Sequence, residues 1–207
     1  MKNKDTLSRL KAEERRMRQQ IIIDAAREVF GQKTYDKASM AEIAKTAGIA
    51  KSSIYTYFKS QEELYATIAY TDACIFIEDL QGKIDNAPDE ALKISISSFL
   101  DYYIDQIAQW RMITHFALHG NKDMGAVEQL NEIGRRLMDL FEQVFKTLGC
   151  RENSRLLAHT LFSSLSGILI AFRNYPGRSE DERISHMKRI GGVVESMVMA
   201  LVEKNQK

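Results

Sequence analysis

Between positions 51 and 59 the chain reads Lys-Ser-Ser-Ile-Tyr-Thr-Tyr-Phe-Lys. Only Ile54 and Phe58 are aliphatic or plain aromatic, and they stand four residues apart, so a helix would turn both inward. Lys51, Ser52, Ser53, Tyr55, Thr56 and Tyr57 are left around the outer face. Short hydroxyls reach base edges, phenols reach bases or phosphates, and a lysine reaches a phosphate or guanine, so this face has the chemistry of a groove-reading helix. For Tyr55 and Tyr57 the alternative is packing beneath the following helix.

A second set of residues has ligand-binding character. Phe99, Tyr102, Tyr103, Trp110 and Phe116 lie within 18 residues, with His115 and His119 close by. Aromatic walls with a few polar groups suit a small-molecule pocket, although such a stripe is equally the makings of an ordinary core. Tyr103, Trp110, His115 and Phe116 are the candidate lining residues, with Phe141 and Phe162 further along the chain and Arg173 as a polar closure. The His115-x-x-x-His119 spacing places two imidazoles on one helix face, with Asp123 a turn beyond. Gly120-Asn121 ends that helix first and no cysteine is near, so no metal site is expected. A catalytic reading fails for want of parts. There is no Glu-x-x-His pair, Gly-rich phosphate loop or nucleophile-base set, so neither an enzyme nor a cofactor is expected.

The elements that would position these residues are helical. Apolar residues recur at three- and four-residue spacings, as in Ile22, Ala25, Ala26, Val29 and Phe30, and strand-like alternation is nearly absent. The chain is predicted to be all-α, with about nine helices at 8–31, 40–47, 51–57, 60–82, 88–108, 110–119, 123–148, 152–174 and 180–204. Ser39-x-x-Glu42, Ser60-x-x-Glu63 and Ser179-x-x-Glu182 read as capping boxes. The prolines, Pro88 and Pro176, fall between helices, and Gly149 stands where a C-terminal cap belongs. Gly48 gives the turn between helices 40–47 and 51–57 the backbone freedom it needs.

Net charge is +1 over 207 residues, but its distribution is uneven. Residues 1–59 hold 13 Lys/Arg against 7 Asp/Glu, and the remainder holds 16 against 21. One basic end suggests a polyanion partner there. Lys2, Lys4, Arg9, Lys11, Arg15, Arg16 and Arg18 make up a basic tail, either a solvated helix extension or an arm reaching phosphates or the minor groove. No unbroken run of eighteen apolar residues occurs and no apolar segment follows the basic N-terminus, so neither a membrane span nor a secretory signal is expected. Cys74 and Cys150 read as reduced core thiols of a cytoplasmic protein.

Two helices joined by a Gly-containing turn match a helix-turn-helix. The surrounding residues make the likeness specific. QIIIDAAREVF, then TYDKASMAEIAKTAGIAKSSIYTYFKSQEEL, across positions 20–64, resembles the N-terminal signature of the TetR family. The shared features are the rhythm of Ile22, Ala26 and Phe30, the block Ile43-Ala44-x-x-Ala47-Gly48-Ile49, and Ile54-Tyr55-x-Tyr57-Phe58-Lys59-Ser60 with Glu63-Leu64. Gln61 stands where the family usually has Lys, Ala50 where Ser often caps the reading helix, and Thr34 where Gly is frequent. The resemblance implies that Lys51, Ser52, Ser53, Tyr55 and Thr56 face the major groove, while Tyr57, Lys59 and Ser39 hold phosphates.

The resemblance also implies a division at about residue 60. A three-helix DNA-binding domain with a basic extension would occupy 1–60, and a helical ligand-sensing and dimerising domain 61–207. The function implied is a ligand-responsive regulator, a repressor by expectation, that binds a palindromic double-stranded DNA operator as a dimer and is released by a small-molecule effector. The alternative is a ligand-independent or architectural regulator using the same DNA domain. The dimer is expected through helices 152–174 and 180–204. Ser163, Ser164, Ser166, Gly167 and Ala171 on the first, and Ile184, Met187, Gly191, Val194, Val198 and Leu201 on the second, have the spacing of paired helices. An intrachain core would use the same pattern.

Overall fold

The computed structural model describes residues 2–33, 35–119, 124–150 and 152–205. Among them are nine α-helices, two short 3-10 turns and no strand. The helices are α1 (Lys2–Gln32), α2 (Met40–Thr46), α3 (Lys51–Ile54), α4 (Gln61–Asn86), α5 (Ala91–Asp105), α6 (Ile107–His119), α7 (Met124–Thr147), α8 (Ser154–Phe172) and α9 (Glu180–Asn205). The chain divides into two compact units, one of residues 1–71 with 111–130, the other of residues 72–110 with 131–207.

In the first unit the apolar stripe of α1 drives assembly. Ile22, Ala25, Ala26, Val29 and Phe30 are buried with Ile43 and Ala44 of α2, Ile54 of α3, and Leu64, Tyr65 and Ile68 of α4. Phe30 meets Tyr65 edge-on at 4.6 Å, and Tyr35 lies 4.8 Å from the same ring. Such aromatic pairs contribute about 0.5–1.5 kcal/mol beyond the area they bury. The stripe starts late. Residues 6–18 of α1 are exposed, Leu7, Leu10 and Met17 included. Helix also runs to Lys2 rather than from residue 8, because nothing in the basic tail breaks it.

The second unit is built around α5, which packs on both α8 and α9. Ser95 lies inside it with its hydroxyl returned to the Ala91 carbonyl at 2.7 Å, so a polar group is buried at little cost. From α7 come Leu137, Leu140, Phe141, Val144 and Phe145. That helix ends in a Schellman motif: Gly149 takes φ 90, and Cys150 N–H donates to the Phe145 carbonyl at 3.0 Å. Pro88 opens a 3-10 turn ahead of α5 rather than the helix itself. The break before α6 falls at Gln106, whose ψ of 64 is not helical.

The last two helices bear on two of the expectations. α8 is long and apolar enough by length and composition to cross a membrane, although no unbroken apolar run marks it. Its Ala158, Leu161, Leu165, Ile168 and Leu169 are buried inside the unit. On α9, Met187, Gly191 and Val198 were expected at a seam between subunits. They are buried within one chain. A Cβ built on Gly191 would lie 2.6 Å from Leu100 Cδ1 and 3.3 Å from Ile96 Cγ2, so glycine here lets α9 approach α5 closely.

Candidate nucleic-acid interface

The helix-turn-helix is shaped at its turn. Gly48 adopts φ 68, Gly48 N–H donates to the Lys45 carbonyl at 3.1 Å, and Ile49 N–H donates to the Ala44 carbonyl at 3.0 Å. This is again the Schellman arrangement, and it needs a residue at ease with positive φ. The start of α2 is capped by Ser39, whose hydroxyl accepts from Glu42 N–H at 3.2 Å. The capping box is not reciprocal, because the Glu42 carboxylate turns to Lys33 Nζ at 2.6 Å. At Ser60 the hydroxyl caps Glu63 N–H at 3.1 Å, but the Glu63 carboxylate goes to Lys59 N–H at 2.5 Å. Only Ser179 and Glu182, among the three expected boxes, exchange both bonds.

The reading helix is shorter than expected. Regular helix covers Lys51–Ile54, and 55–57 continue as a turn. Thr56 N–H donates to the Ser53 carbonyl at 3.1 Å, and Tyr57 N–H to the Ile54 carbonyl at 3.0 Å. Ala50 is extended and makes no side-chain cap. Serines, threonine, aromatics and β-branched isoleucine are all middling helix formers, so nothing local prolongs the helix. Its attitude is set by Ile54 and Phe58, both buried in the core of the first unit.

That anchoring leaves Lys51, Ser52, Ser53, Tyr55 and Thr56 exposed, and Ser39 and Lys59 are exposed as well. Tyr55 is 46% exposed, so its ring does not pack beneath α4. Tyr57 is intermediate: it is half-buried against the core, and the Arg15 guanidinium lies 5.3 Å from its ring centre. Gln61, where the TetR signature has Lys, donates to the Tyr35 carbonyl at 2.9 Å and so serves the fold. A groove of about 670 Å³ runs between Arg18 and Ile21 of α1 and Ala47, Ser53, Thr56 and Tyr57. Arg15 and Arg18 were not singled out from the rest of the basic tail by sequence. The available signal was their helical register with Ile22, seven and four residues ahead of it on the stripe that enters the core.

The candidate effector residues fall in the second unit where their side chains are described. Tyr103 and Trp110 are buried and meet edge-on at 5.4 Å, Phe141 is fully buried, and Phe162 is half-buried 5.9 Å from Phe99. Phe76 stacks on Tyr102 at 4.3 Å, and Phe99 meets Tyr103 at 4.8 Å. Burial pushes the Tyr103 phenol well above its ordinary range, with Tyr102 adding to the effect. Arg173 donates to the Tyr103 carbonyl, and Gln109 to the Asp72 carboxylate. The side chains of His115, Phe116 and His119, and all of Asp123, lie outside the described residues.

Residues 22–68 match the family model of bacterial regulatory proteins of the tetR family. A fatty acid metabolism regulator protein of Bacillus subtilis is 38% identical over 63 residues, covering 30% of this chain and 32% of its own. An uncharacterized HTH-type transcriptional regulator, YhgD, of the same species is 35% identical over 75 residues, covering 36% and 37%. The chain thus spans only about a third of the length of these curated relatives. Among solved structures, the Bacillus subtilis transcriptional regulator FadR in complex with stearoyl-CoA superposes with a TM-score of 0.69 at 20% identity, covering 86% of this chain and 97% of that one.

Proposed function

We propose that the chain is a regulator of the tetR family, whose model its residues 22–68 match, and that it works as a ligand-responsive transcriptional repressor in the cytoplasm. Two copies present α3 to successive major grooves of a near-palindromic operator, about 34–36 Å apart as one DNA turn requires. The observation that carries the DNA-binding part is the exposed surface of Lys51, Ser52, Ser53, Tyr55 and Thr56, held outward by buried Ile54 and Phe58. Lys59, Tyr57 and Ser39 flank it and serve the phosphates, which fix register without reading sequence. The protein acts by binding and not by turnover.

The aromatic cluster of Tyr103, Trp110, Phe141 and Phe162 is the effector-sensing region, with His115 and Phe116 of α6 as further candidates. A long-chain acyl thioester is the first effector to test, since relatives are named for fatty acid metabolism and one was solved with stearoyl-CoA. An effector that prefers a dimer geometry with the wrong half-site spacing releases DNA through that difference in affinity alone. The mutual packing of these rings favours the second reading, a regulator that needs no ligand, in which the cluster is simply core.

The test is selection of duplexes from a random library, footprinting of the enriched sequence, and titration of stearoyl-CoA into the complex. The expected result is a palindromic footprint that the acyl-CoA clears. Enrichment of a palindrome that acyl-CoA leaves bound rejects this effector, and a failure to enrich any duplex rejects DNA reading. Lys59→Ala should also flatten the plot of log affinity against log salt by about 0.9 for each phosphate that Lys59 neutralises.

A further inference from the structure

α3 has an unusual mechanical problem. It is four residues long, its N-terminus lacks a side-chain cap, and its C-terminal carbonyls face an irregular turn. Ile54 and Phe58 hold it to the core from below. Tyr57 packs partly against the same core, and the Thr56 carbonyl and the rest of the ring are left to other partners. Arg15 reaches both from α1, although it lies 41 residues away in sequence from Thr56. Its Nη2 donates to the Thr56 carbonyl at 3.2 Å, and its guanidinium carbon lies 5.3 Å from the Tyr57 ring centre. A carbonyl at the end of a helical turn has no partner within the helix, and a cation there also meets the favourable end of the backbone dipoles. A guanidinium over a phenol ring adds a cation–π attraction.

The neighbouring Arg18 is shared between two partners, Glu14 and the Tyr57 side chain. Arg18 forms a forked pair with Glu14, with Nε at 3.1 Å and Nη2 at 2.8 Å from the same carboxylate oxygen. What Arg15 adds is that it reaches the Thr56 carbonyl as well as the Tyr57 ring, and so grips the end of the short helix. Arg15 stands on the exposed part of α1, ahead of the Arg18 and Ile22 that line the groove beside α3.

We propose that Arg15 is a positioning residue for DNA recognition: it fixes the Thr56 carbonyl and the Tyr57 ring, setting the attitude of the reading surface without itself binding the duplex. Arg15 supplies affinity through Tyr57. It belongs to the helix-turn-helix although it lies outside the residues that define one. The proposal rests on the DNA-binding reading above.

The experiment takes the full chain and the duplex that the wild-type protein enriches from a random library. Affinity is measured over a range of salt for wild type, Arg15→Ala, Arg15→Lys, Tyr57→Leu and the Arg15→Ala/Tyr57→Leu double variant. Amide exchange at residues 54–58 is followed in the free proteins. Thermal unfolding checks that each variant keeps its fold. Arg15→Ala is expected to weaken binding about tenfold, the scale of one exposed charged hydrogen bond with a cation–π interaction, at an unchanged salt slope. Exchange at 54–58 should quicken in the same variant. Arg15→Lys should recover only part of the loss, because an ammonium keeps the charge without the planar fork. Adding Arg15→Ala to Tyr57→Leu should cost little more than Tyr57→Leu alone.

A salt slope that falls by about 0.9 per site would show Arg15 holding a phosphate directly and would overturn the positioning role. So would penalties that simply add in the double variant, or unaltered exchange at 54–58. If the wild type enriches no duplex, it is the DNA-binding reading that falls. The exchange measurement still decides whether Arg15 holds Tyr57.

Discussion

The reading helix and the last two helices solve opposite surface problems. Around α3 the outward side chains are polar: Lys51, Ser52, Ser53 and Thr56, with Tyr55 carrying its hydroxyl. On α8 and α9 several outward large side chains are apolar: Leu156 and Ile170 on the first, Val193, Met197 and Leu201 on the second, each 48–64% exposed. Between them lie small exposed residues, Ser163 and Gly167 on α8, and Gly192 and Ser196 on α9. Single exposed apolar residues are ordinary, but on α9 they recur every four residues, and α8 packed beside it carries more. The two surfaces suit the two partners proposed for the chain, a polyanion at one and, at the other, the apolar helices of a second copy.

The strongest way to break this comparison is at the anchor of the polar face. Phe58 is 4% exposed and lies in the core of the first unit. Phe58→Ala should cost about 3–5 kcal/mol of stability, as cavities of that size usually do. Urea unfolding should show the loss, and binding to the selected duplex should vanish while the dimer mass persists. A protein that still bound DNA would show that α3 keeps its attitude without this anchor.

The complementary break is at the apolar face. Val193→Glu with Met197→Glu places two carboxylates where a partner's apolar side chains should pack. Self-association should weaken by about 100-fold or more, corresponding to about 3 kcal/mol, and sedimentation should report a monomer at micromolar concentration. The fold should survive, because both positions are exposed in the single chain. An unchanged dimer mass would move the interface elsewhere.

These two regions also differ in how much of them sequence discloses. The turn at Gly48, the inward pair Ile54 and Phe58, and the outward hydroxyls were legible because each depends on neighbours within a few residues. The face of α9 was not. That helix carries two apolar stripes, Met187, Gly191 and Val198 on one, Val193, Met197 and Leu201 on the other. Periodicity reveals both without saying which meets its own chain. The burial of Met187 and Val198, with the approach of Leu100 to Gly191, settles it. Arg15 was illegible for a related reason, since its partners Thr56 and Tyr57 are remote in sequence and one of them is a backbone carbonyl. The capping boxes failed more locally. Ser39 and Ser60 cap as the pattern requires, but Lys33 and the Lys59 N–H draw away the two glutamates that would have reciprocated.

The smallest effect sharpens the comparison within the helix-turn-helix itself. α2 begins at Ser39, extended at φ −142 and ψ 150, with its hydroxyl on Glu42 N–H. α3 begins at Ala50, also extended at φ −66 and ψ 143, with no side-chain acceptor. The backbone at position 50 is thus already arranged for a cap, and the residue is exposed, leaving space for a hydroxyl. Ala50→Ser should stabilise the protein by about 0.5–1 kcal/mol by adding a side-chain acceptor for the amides at the start of α3. Thermal unfolding would register the gain, and slower amide exchange over 52–54 would place it. If stability does not rise, the short helix is held by Ile54, Phe58 and Arg15 so completely that its own first turn adds nothing.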